Sequence, residues 1–289
     1  MRFATLAIDG TEQASLLVGD AWAPLNLVDP TLEGDLLKLI ALQPGKLELG
    51  ELERRARGIG VAMLIAKDEA VYRPPYRHPR KIWGIGLNYQ DHAADLDEAA
   101  PTQPASFIKG DHTIIGPGDP ITIPRQSQRT TAEAELGLIF GRAARDVDPS
   151  EALDCLFGVC TILDQTAEDI LQLNPRYLTR SKNFPGFFSF GPEVVTLDEF
   201  LADRDLKDVR VTTFIDGAEV RSNTISNMVH SPADLISFHS QVMPFFPGDI
   251  ISSGTPGAGI LRHGAIATAV VSGMEPLVNP AVAQDGPPA

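Results

Sequence analysis

Two carboxylates in one predicted strand are the first residues of this chain whose spacing suggests chemistry. In the segment TAEAELGLIFG (131–141), Glu133 and Glu135 alternate with Ala134 and Leu136. A strand therefore places both glutamates on one face and the apolar residues on the other. Neighbours on one face lie about 7 Å apart, and carboxylates that share a pocket repel each other unless a cation neutralises them. The pattern predicts either a solvated polar face or one part of a cation site.

A third carboxylate follows the next apolar strand, LFGVCTILD (156–164), which ends in Asp164. This residue precedes the helical segment QTAEDILQL, so it is either the N-cap of that helix or a further ligand. Three carboxylates with no nearby set of thiols or imidazoles form an all-oxygen donor group. Such a group suits Mg²⁺, Mn²⁺ or Ca²⁺ rather than zinc.

The elements that must position these residues divide the chain into three parts. Short strand-like runs and two helical patterns in residues 1–76 predict a small N-terminal α+β domain. The proline-rich segment VYRPPYRHPRK (71–81) marks its boundary. Many short apolar strands and few helices in residues 77–276 predict a β-dominated α+β domain built on a barrel or rolled sheet. Residues 277–289, rich in Pro, Gly and Ala, are expected to form a flexible tail.

Composition excludes several classes of protein. The 289 residues are 43% hydrophobic and 21% charged, which is typical of a packed globular protein. The net charge of −14 makes nucleic acid and anionic membranes unfavourable partners. Cys155 and Cys160 have no second pair of ligands and are predicted to be buried free thiols. The N-terminus carries no signal-like segment, so we expect a cytoplasmic protein.

The order of motifs resembles the fumarylacetoacetate hydrolase family over about residues 81–272. Eight strings carry the resemblance: GIGLNYQDHAAD (84–95), PASFIKG (104–110), IIGPGDPITIP (114–124), EAELGLIFGR (133–142), ILDQTAED (162–169), RSKNF (180–184), FGPEVVTLDE (190–199) and ISSGTPGAG (251–259). The resemblance implies a mixed β-roll catalytic domain, usually in a homodimer. It also implies a divalent metal and a small 2-oxo or β-dicarbonyl acid as substrate.

The resemblance assigns a role to each matching position. It makes Glu133, Glu135 and Asp164 the metal ligands, in agreement with the strand pattern, and Lys182 the lysine that faces the enolate or carboxylate oxygen of the substrate. His92 becomes the general base that activates water. Asp95 stands where the family has Glu, so it would orient His92 from about one methylene further away.

Three further residues match positions near the family's substrate: Tyr89, Lys109 and Thr255. The alternatives are that Tyr89 only packs near the site, that Lys109 is a solvated lysine, and that Thr255 satisfies donors in its own turn. Two positions depart from the family. Glu168 stands where an arginine is expected, and Leu171 where a glutamine often donates a hydrogen bond.

These residues favour a metal-dependent hydrolase that cleaves a carbon–carbon bond of an acylpyruvate or related β-dicarbonyl acid through a metal-bound enolate. One alternative is an isomerase, tautomerase or decarboxylase of an unsaturated 2-oxo-dicarboxylic acid, which needs no activated water. Another is a family member in a specialised pathway that has lost hydrolysis, a loss that Glu168 and Leu171 favour.

Overall fold

Strands dominate the fold of this chain. The computed structural model describes residues 1–46, 48–89 and 101–284. Its strands are β1 Arg2–Ile8, β2 Thr11–Val18, β3 Ala21–Pro24, β4 Ile65–Ala66, β5 Tyr72–Arg73, β6 Ile82–Gly86, β7 Ala105–Lys109, β8 Ile114–Ile115, β9 Ile121–Ile123, β10 Thr130–Phe140, β11 Leu156–Ala167, β12 Phe188–Thr196, β13 Arg210–Ile215, β14 Ala218–Thr224, β15 Ile250–Ser252, β16 Ala258–Ile260, β17 Ile266–Val271 and β18 Leu277–Ala283.

The helices are short and lie between groups of strands. They are α1 Leu25–Val28, α2 Leu36–Lys46, α3 Leu49–Ala56, α4 Glu168–Leu173, α5 Leu178–Lys182, α6 Leu197–Phe200 and α7 Pro232–Val242. The prediction of a β-dominated α+β fold is therefore confirmed. Among the described helices, none has both the length and the apolar composition that a bilayer crossing requires.

The described strands form two open sheets. The larger, of 13 strands, runs β4-β3-β2-β1-β12-β11-β10-β15-β6-β7, with β16 on β10, β5 on β1 and β8 on β12. The smaller runs β14-β13-β17-β18-β9. Neither of these sheets closes into a barrel, so the barrel alternative is wrong.

The centre of the large sheet is the antiparallel pair of β10 and β11, whose register places Glu133 opposite Asp164. Alternation gives this pair two faces. We call the face that carries Glu133, Glu135 and Asp164 the site face, and the face that carries Ala134 and Leu136 the core face. Leu136 and its neighbours on the core face pack against the small sheet in one apolar cluster.

The N-terminal segment packs on the same sheet as the predicted site. Phe3 of β1 pairs with Val194 of β12, so the N-terminal strands continue the large sheet. Phe3, Leu39 of α2 and two site-face residues, Ile139 and Ile162, share one buried cluster. The domain boundary at 76/77 stays a prediction.

The predicted tail needs a correction. Leu277–Ala283 form β18, which pairs with β17 and β9, and the side chains at 277, 279, 281 and 283 are buried. The Pro and Ala residues suggested fraying, but the segment VNPAVA alternates buried and exposed positions as a strand does. Pro280 is tolerated although it has no backbone N–H to donate.

Candidate active site

Three carboxylates converge on the site face of the β10–β11 pair. Glu133, Glu135 and Asp164 each offer an oxygen, and these oxygens lie within 4.8 Å of one another. All three residues are buried, with Asp164 fully so. The expectation of a solvated polar face is therefore wrong. The N-cap alternative for Asp164 is also wrong, because β11 continues to Ala167 and α4 begins only at Glu168.

Lys182, at the end of α5, joins the carboxylates. Its Nζ donates to Glu133 Oε2 at 2.9 Å and to Asp164 Oδ2 at 2.7 Å. Burial lowers the pKa of Lys182, but the charges of Asp164 and Glu133 outweigh burial and raise that pKa above its usual value. The ammonium group is therefore charged in the site.

Lys109, at the end of β7, is buried beneath Asp164. Its Nζ lies 2.5 Å from Asp164 Oδ1 and donates to the carbonyl oxygens of Gln165 and Lys182 at 3.1 and 2.6 Å. The alternative of a solvated lysine is wrong, since Lys109 is 3% exposed. Burial lowers the pKa of Lys109 to about 8, against the opposing effect of Asp164. These contacts hold the predicted metal ligand Asp164 and the backbone of Lys182 in place.

Neighbouring donors hold the two glutamates in place. Ser252 Oγ and the Gly254 backbone N–H donate to Glu135 Oε2 at 2.5 and 2.9 Å. The hydroxyls of Thr131 and Thr166 donate to Glu133 Oε1 at 3.2 and 2.6 Å. Sequence reasoning missed these four residues. Alternation would have found the threonines, because each lies two positions from a ligand on the same strand face.

The carboxylates outnumber the two lysines, and this excess shows in Glu135. Burial, and then the charge of Asp164, raise the pKa of Glu135 well above its usual range. The charge of Lys182 and the hydrogen bond from Ser252 lower the pKa of Glu135 without cancelling this effect. A site of this kind favours an added cation, which removes the repulsion between the carboxylates.

Aromatic rings close the site around the lysines. The Phe107 ring centroid lies 4.7 Å from Lys182 Nζ, and the Phe187 ring centroid lies 5.8 Å from Lys109 Nζ. Phe107 pairs across strands with Gly84, where an added Cβ would lie 2.1 Å from the ring. Gly84 is therefore required for Phe107 to cover the ammonium group.

Tyr89 and Thr255 also lie in buried positions. The Tyr89 hydroxyl has no hydrogen-bond partner among the described residues, and burial together with Glu135 raises its pKa. Thr255 Oγ1 donates to Gly257 O at 3.1 Å and accepts from Gly257 N at 3.2 Å. These are the contacts expected of a turn residue. Substrate contacts of both residues stay predictions.

The remaining predicted residues have mixed outcomes. His92 and Asp95 lie outside the described residues. Glu168 accepts a hydrogen bond from Arg129 Nε at 2.8 Å, so a guanidinium accompanies the carboxylate that replaces the expected arginine. Leu171 is half-buried on α4. Both cysteines are buried free thiols, as predicted.

Residues 81–282 match the family model described as fumarylacetoacetate (FAA) hydrolase C-terminal. The chain belongs to the fumarylacetoacetate hydrolase family. Human mitochondrial oxaloacetate tautomerase FAHD2A, a curated relative, is 31% identical over 240 residues, which cover 82% of this chain and 74% of that protein.

Solved structures of the fumarylacetoacetate hydrolase family share the fold. The fumarylacetoacetate hydrolase of Exiguobacterium antarcticum is 27% identical with a TM-score of 0.82, covering 98% of this chain and 100% of that one. Maleylpyruvate hydrolase from Sphingobium sp. SYK-6, solved with manganese(II) and pyruvate, is 24% identical with a TM-score of 0.81, covering 98% and 99%.

Proposed function

We propose that this chain is a metal-dependent enzyme that interconverts the keto and enol forms of a 2-oxo acid. The observation that carries the proposal is the convergence of Glu133, Glu135 and Asp164 beside the Lys182 ammonium group. The arrangement combines a cation site with a second positive group. Both are suited to the negative oxygen of an enolate.

The donor set fits Mg²⁺ or Mn²⁺, and Ca²⁺ is compatible with it. All donors are carboxylate oxygens, which these hard cations prefer. The fit is also electrostatic, because three buried carboxylates share only the two ammonium groups of Lys109 and Lys182 among the described residues. When bound, the cation would act as a Lewis acid that polarises the 2-oxo group. The manganese and pyruvate in the maleylpyruvate hydrolase structure support this choice.

The chain's own residues supply the remaining parts of the reaction. Lys182 donates a hydrogen bond to the substrate oxygen on which negative charge develops. Lys109 keeps Asp164 and the Lys182 backbone in place through its three contacts. Phe107 covers the ammonium group and keeps water from it, which strengthens the electrostatic interactions.

Proton transfer to and from carbon requires a general base, and we assign it to His92. Histidine is suited to this role because its usual pKa lies near neutrality. Keto–enol interconversion needs no second substrate. It is the reaction named for the human relative FAHD2A, which matches most of this chain.

Hydrolysis of a carbon–carbon bond is the second candidate. The presence of both His92 and Asp95 in the sequence favours it, since an oriented histidine activates water. Hydrolysis begins from the same stabilised enolate and adds attack by water on the distal carbonyl.

One assay pair tests both candidates. Purified protein with Mn²⁺ is given enol-oxaloacetate, whose ultraviolet absorbance decays on ketonisation, and separately an acylpyruvate in ¹⁸O-labelled water. We expect accelerated ketonisation that chelation abolishes and Mn²⁺ restores. Label in a new carboxylate would establish hydrolysis.

Lys182→Met should abolish the acceleration, whereas the exposed Lys207→Met should retain it. The exposed Lys207 pairs with the exposed Asp205 at 3.0 Å, so its substitution removes one positive charge away from the site. Full activity in Lys182→Met, or after exhaustive chelation, would refute the proposal.

A further inference from the structure

Asn88 lies just beyond the end of a strand pair in the large sheet. Strands β6 and β15 run parallel, and their pairing ends with Gly84 beside Ser252. Asn88 follows the last residue of β6 by two positions and is 1% exposed. Its side-chain Nδ2 donates to Ser253 O at 2.8 Å. The amide therefore satisfies a buried backbone carbonyl group at the point where the strand pairing stops.

The segment 253–254, which Asn88 contacts, also holds a predicted metal ligand. The Gly254 backbone N–H donates to Glu135 Oε2 at 2.9 Å. Gly254 has a φ of +96°, a conformation that side chains disfavour, and a Cβ there would lie 2.8 Å from Asn88 Cβ. Glycine is therefore the residue that lets this segment pack on Asn88 and reach Glu135 at the same time.

A second segment fixes the orientation of the Asn88 amide. Asn88 Nδ2 also donates to His230 O at 3.0 Å, and Asn88 Oδ1 accepts from His230 N at 2.9 Å. The backbone adds a further contact, because Val229 N donates to Asn88 O at 2.7 Å. Both N–H groups of the amide are thus in use, one on each segment. The side chain is held in the one orientation that reaches Ser253 O.

Backbone strain next to Asn88 agrees with a functional constraint. Leu87 has a φ of +55°, in the left-handed region that a bulky side chain disfavours. Residues in this region persist where the surrounding contacts hold them, and they cluster at functional sites. The four hydrogen bonds of Asn88 hold the chain immediately after Leu87.

We infer that Asn88 is a positioning residue for the metal site, because it holds the segment whose Gly254 N–H keeps Glu135 in place. The inference rests on the proposed function, in which Glu135 is a metal ligand. Replacing a residue that orients a metal ligand typically weakens metal binding about 10- to 100-fold. Asn88 therefore helps to set the affinity of the site for its cation.

Asn279 of β18 is a matched control for Asn88. It is fully buried, and its Nδ2 donates to Gly116 O at 2.7 Å and to Asp119 O at 2.8 Å. Its Oδ1 accepts from Ser189 Oγ at 2.8 Å. The amide of Asn279 thus makes as many hydrogen bonds as the amide of Asn88. Its partners lie in the segment 116–119 and in β12, whereas Asn88 contacts the segment that holds Glu135.

The test separates metal affinity from stability. Calorimetric titration with Mn²⁺ and thermal melts of the chelated protein compare the unmodified protein, Asn88→Ala and Asn279→Ala. Both substitutions should lower the unfolding temperature, since each removes three hydrogen bonds of a buried amide. Asn88→Ala alone should weaken Mn²⁺ binding, by about tenfold or more. If the melt shows that Asn88→Ala is not folded, Asn88→Ser takes its place.

Two results would contradict the role of Asn88. One is an Mn²⁺ affinity in the Asn88 variant equal to that of the unmodified protein. The other is an equal loss of Mn²⁺ affinity in the Asn88 and Asn279 variants, which would show a general effect of destabilisation. Either result would overturn this inference alone. Failure of the unmodified protein to bind Mn²⁺ would overturn the proposed function as well.

A double-mutant cycle tests whether Asn88 acts through Glu135. Ser252→Ala removes the other donor to Glu135 Oε2, whereas Thr166→Ala removes a donor to Glu133. The fold losses of Mn²⁺ affinity in Asn88→Ala and Thr166→Ala should multiply within about twofold, because the two residues hold different ligands. Those of Asn88→Ala and Ser252→Ala should depart from their product by about threefold or more. Independent losses in both pairs would overturn the route through Glu135.

Discussion

The two faces of the β10–β11 pair are formed by alternate residues of the same two strands, yet burial of their side chains has opposite effects on the stability of the protein. Leu136 on the core face is fully buried in the cluster between the sheets. Glu135, its neighbour in sequence, is buried almost as completely on the site face. Burial favours folding for the leucine and opposes it for the carboxylate.

The difference shows that the site face lowers the stability of the sheet in exchange for a cluster of functional carboxylates. The site face needs two lysines and a set of hydroxyl and backbone donors to keep three carboxylates in place. Replacing a whole buried ion pair by well-packed apolar residues is often neutral or stabilising in proteins. The core face needs only a fit between apolar side chains. Adjacent substitutions should therefore have opposite effects on stability and on metal binding.

The largest effect is expected for Glu135→Gln. Loss of one of three carboxylate ligands should weaken Mn²⁺ binding at least about 100-fold and abolish activity. The unfolding temperature of the chelated protein should not fall, because burial opposes the charge of Glu135 and glutamine is a neutral side chain of the same shape. Calorimetric titration with Mn²⁺ and a thermal melt measure the two quantities.

Leu136→Ala is the adjacent control on the core face. It should lower the free energy of unfolding by about 2–5 kcal/mol through lost burial and a cavity. Its affinity for Mn²⁺ should stay within a few-fold of the unmodified protein. If Glu135→Gln destabilises the chelated protein as much as Leu136→Ala does, the contrast between the faces is wrong.

A smaller effect is expected at Gly137, where the site face changes from charged to apolar. A Cβ at this position would lie 2.5 Å from Cys160 Sγ and 2.6 Å from Ile162 Cδ1. Gly137→Ala should therefore cost about 1–3 kcal/mol of unfolding free energy through overpacking.

Combining Gly137→Ala with Cys160→Ala should recover part of that loss, because the second change removes the sulfur that the new methyl group meets. Urea unfolding of the two single variants and the double variant measures the coupling. Additive losses would mean that the close approach at Gly137 is relieved elsewhere in the sheet.

Much of the fold and the site followed from the sequence, for identifiable reasons. Strict alternation predicted that Glu133 and Glu135 share one face of a strand. The strand register adds Asp164 to that face. The family resemblance identified Lys182, which is adjacent to the ligands in space and distant in sequence. Local pattern and motif order were sufficient for these residues.

Other features depended on contacts that the sequence does not display. Lys109 is buried because Asp164 and two backbone carbonyls surround its ammonium group, and these partners come from other elements. The final strand was predicted as a tail because Pro and Ala masked its alternation. The homodimer, the cytoplasmic location and the roles of His92 and Asp95 stay predictions.

The smallest expected effect concerns a titratable group on the apolar side of the sheet. His239 of α7 is 2% exposed and makes T-shaped contacts with Trp83 and Phe238 at centroid distances of 5.6 and 5.1 Å. Burial, with a smaller contribution from His230, lowers the pKa of His239 to about 4. Lys182 on the site face keeps its charge through nearby carboxylates, whereas His239 is kept neutral.

The sign of the pH dependence follows from this shift. Between pH 6.5, the ordinary value for histidine, and pH 4, the unfolded chain binds a proton that the folded chain excludes. The contribution of neutral His239 to the free energy of unfolding is therefore fully present above about pH 6.5. It is lost as pH falls toward 4, with a slope of at most about 1.4 kcal/mol per pH unit. His239→Leu should reduce the slope of unfolding free energy against pH in this window. Substitution of the exposed His78 by Gln should not reduce it. Parallel slopes for His239→Leu and the unmodified protein in urea titrations at several pH values would show that His239 is not kept neutral by burial.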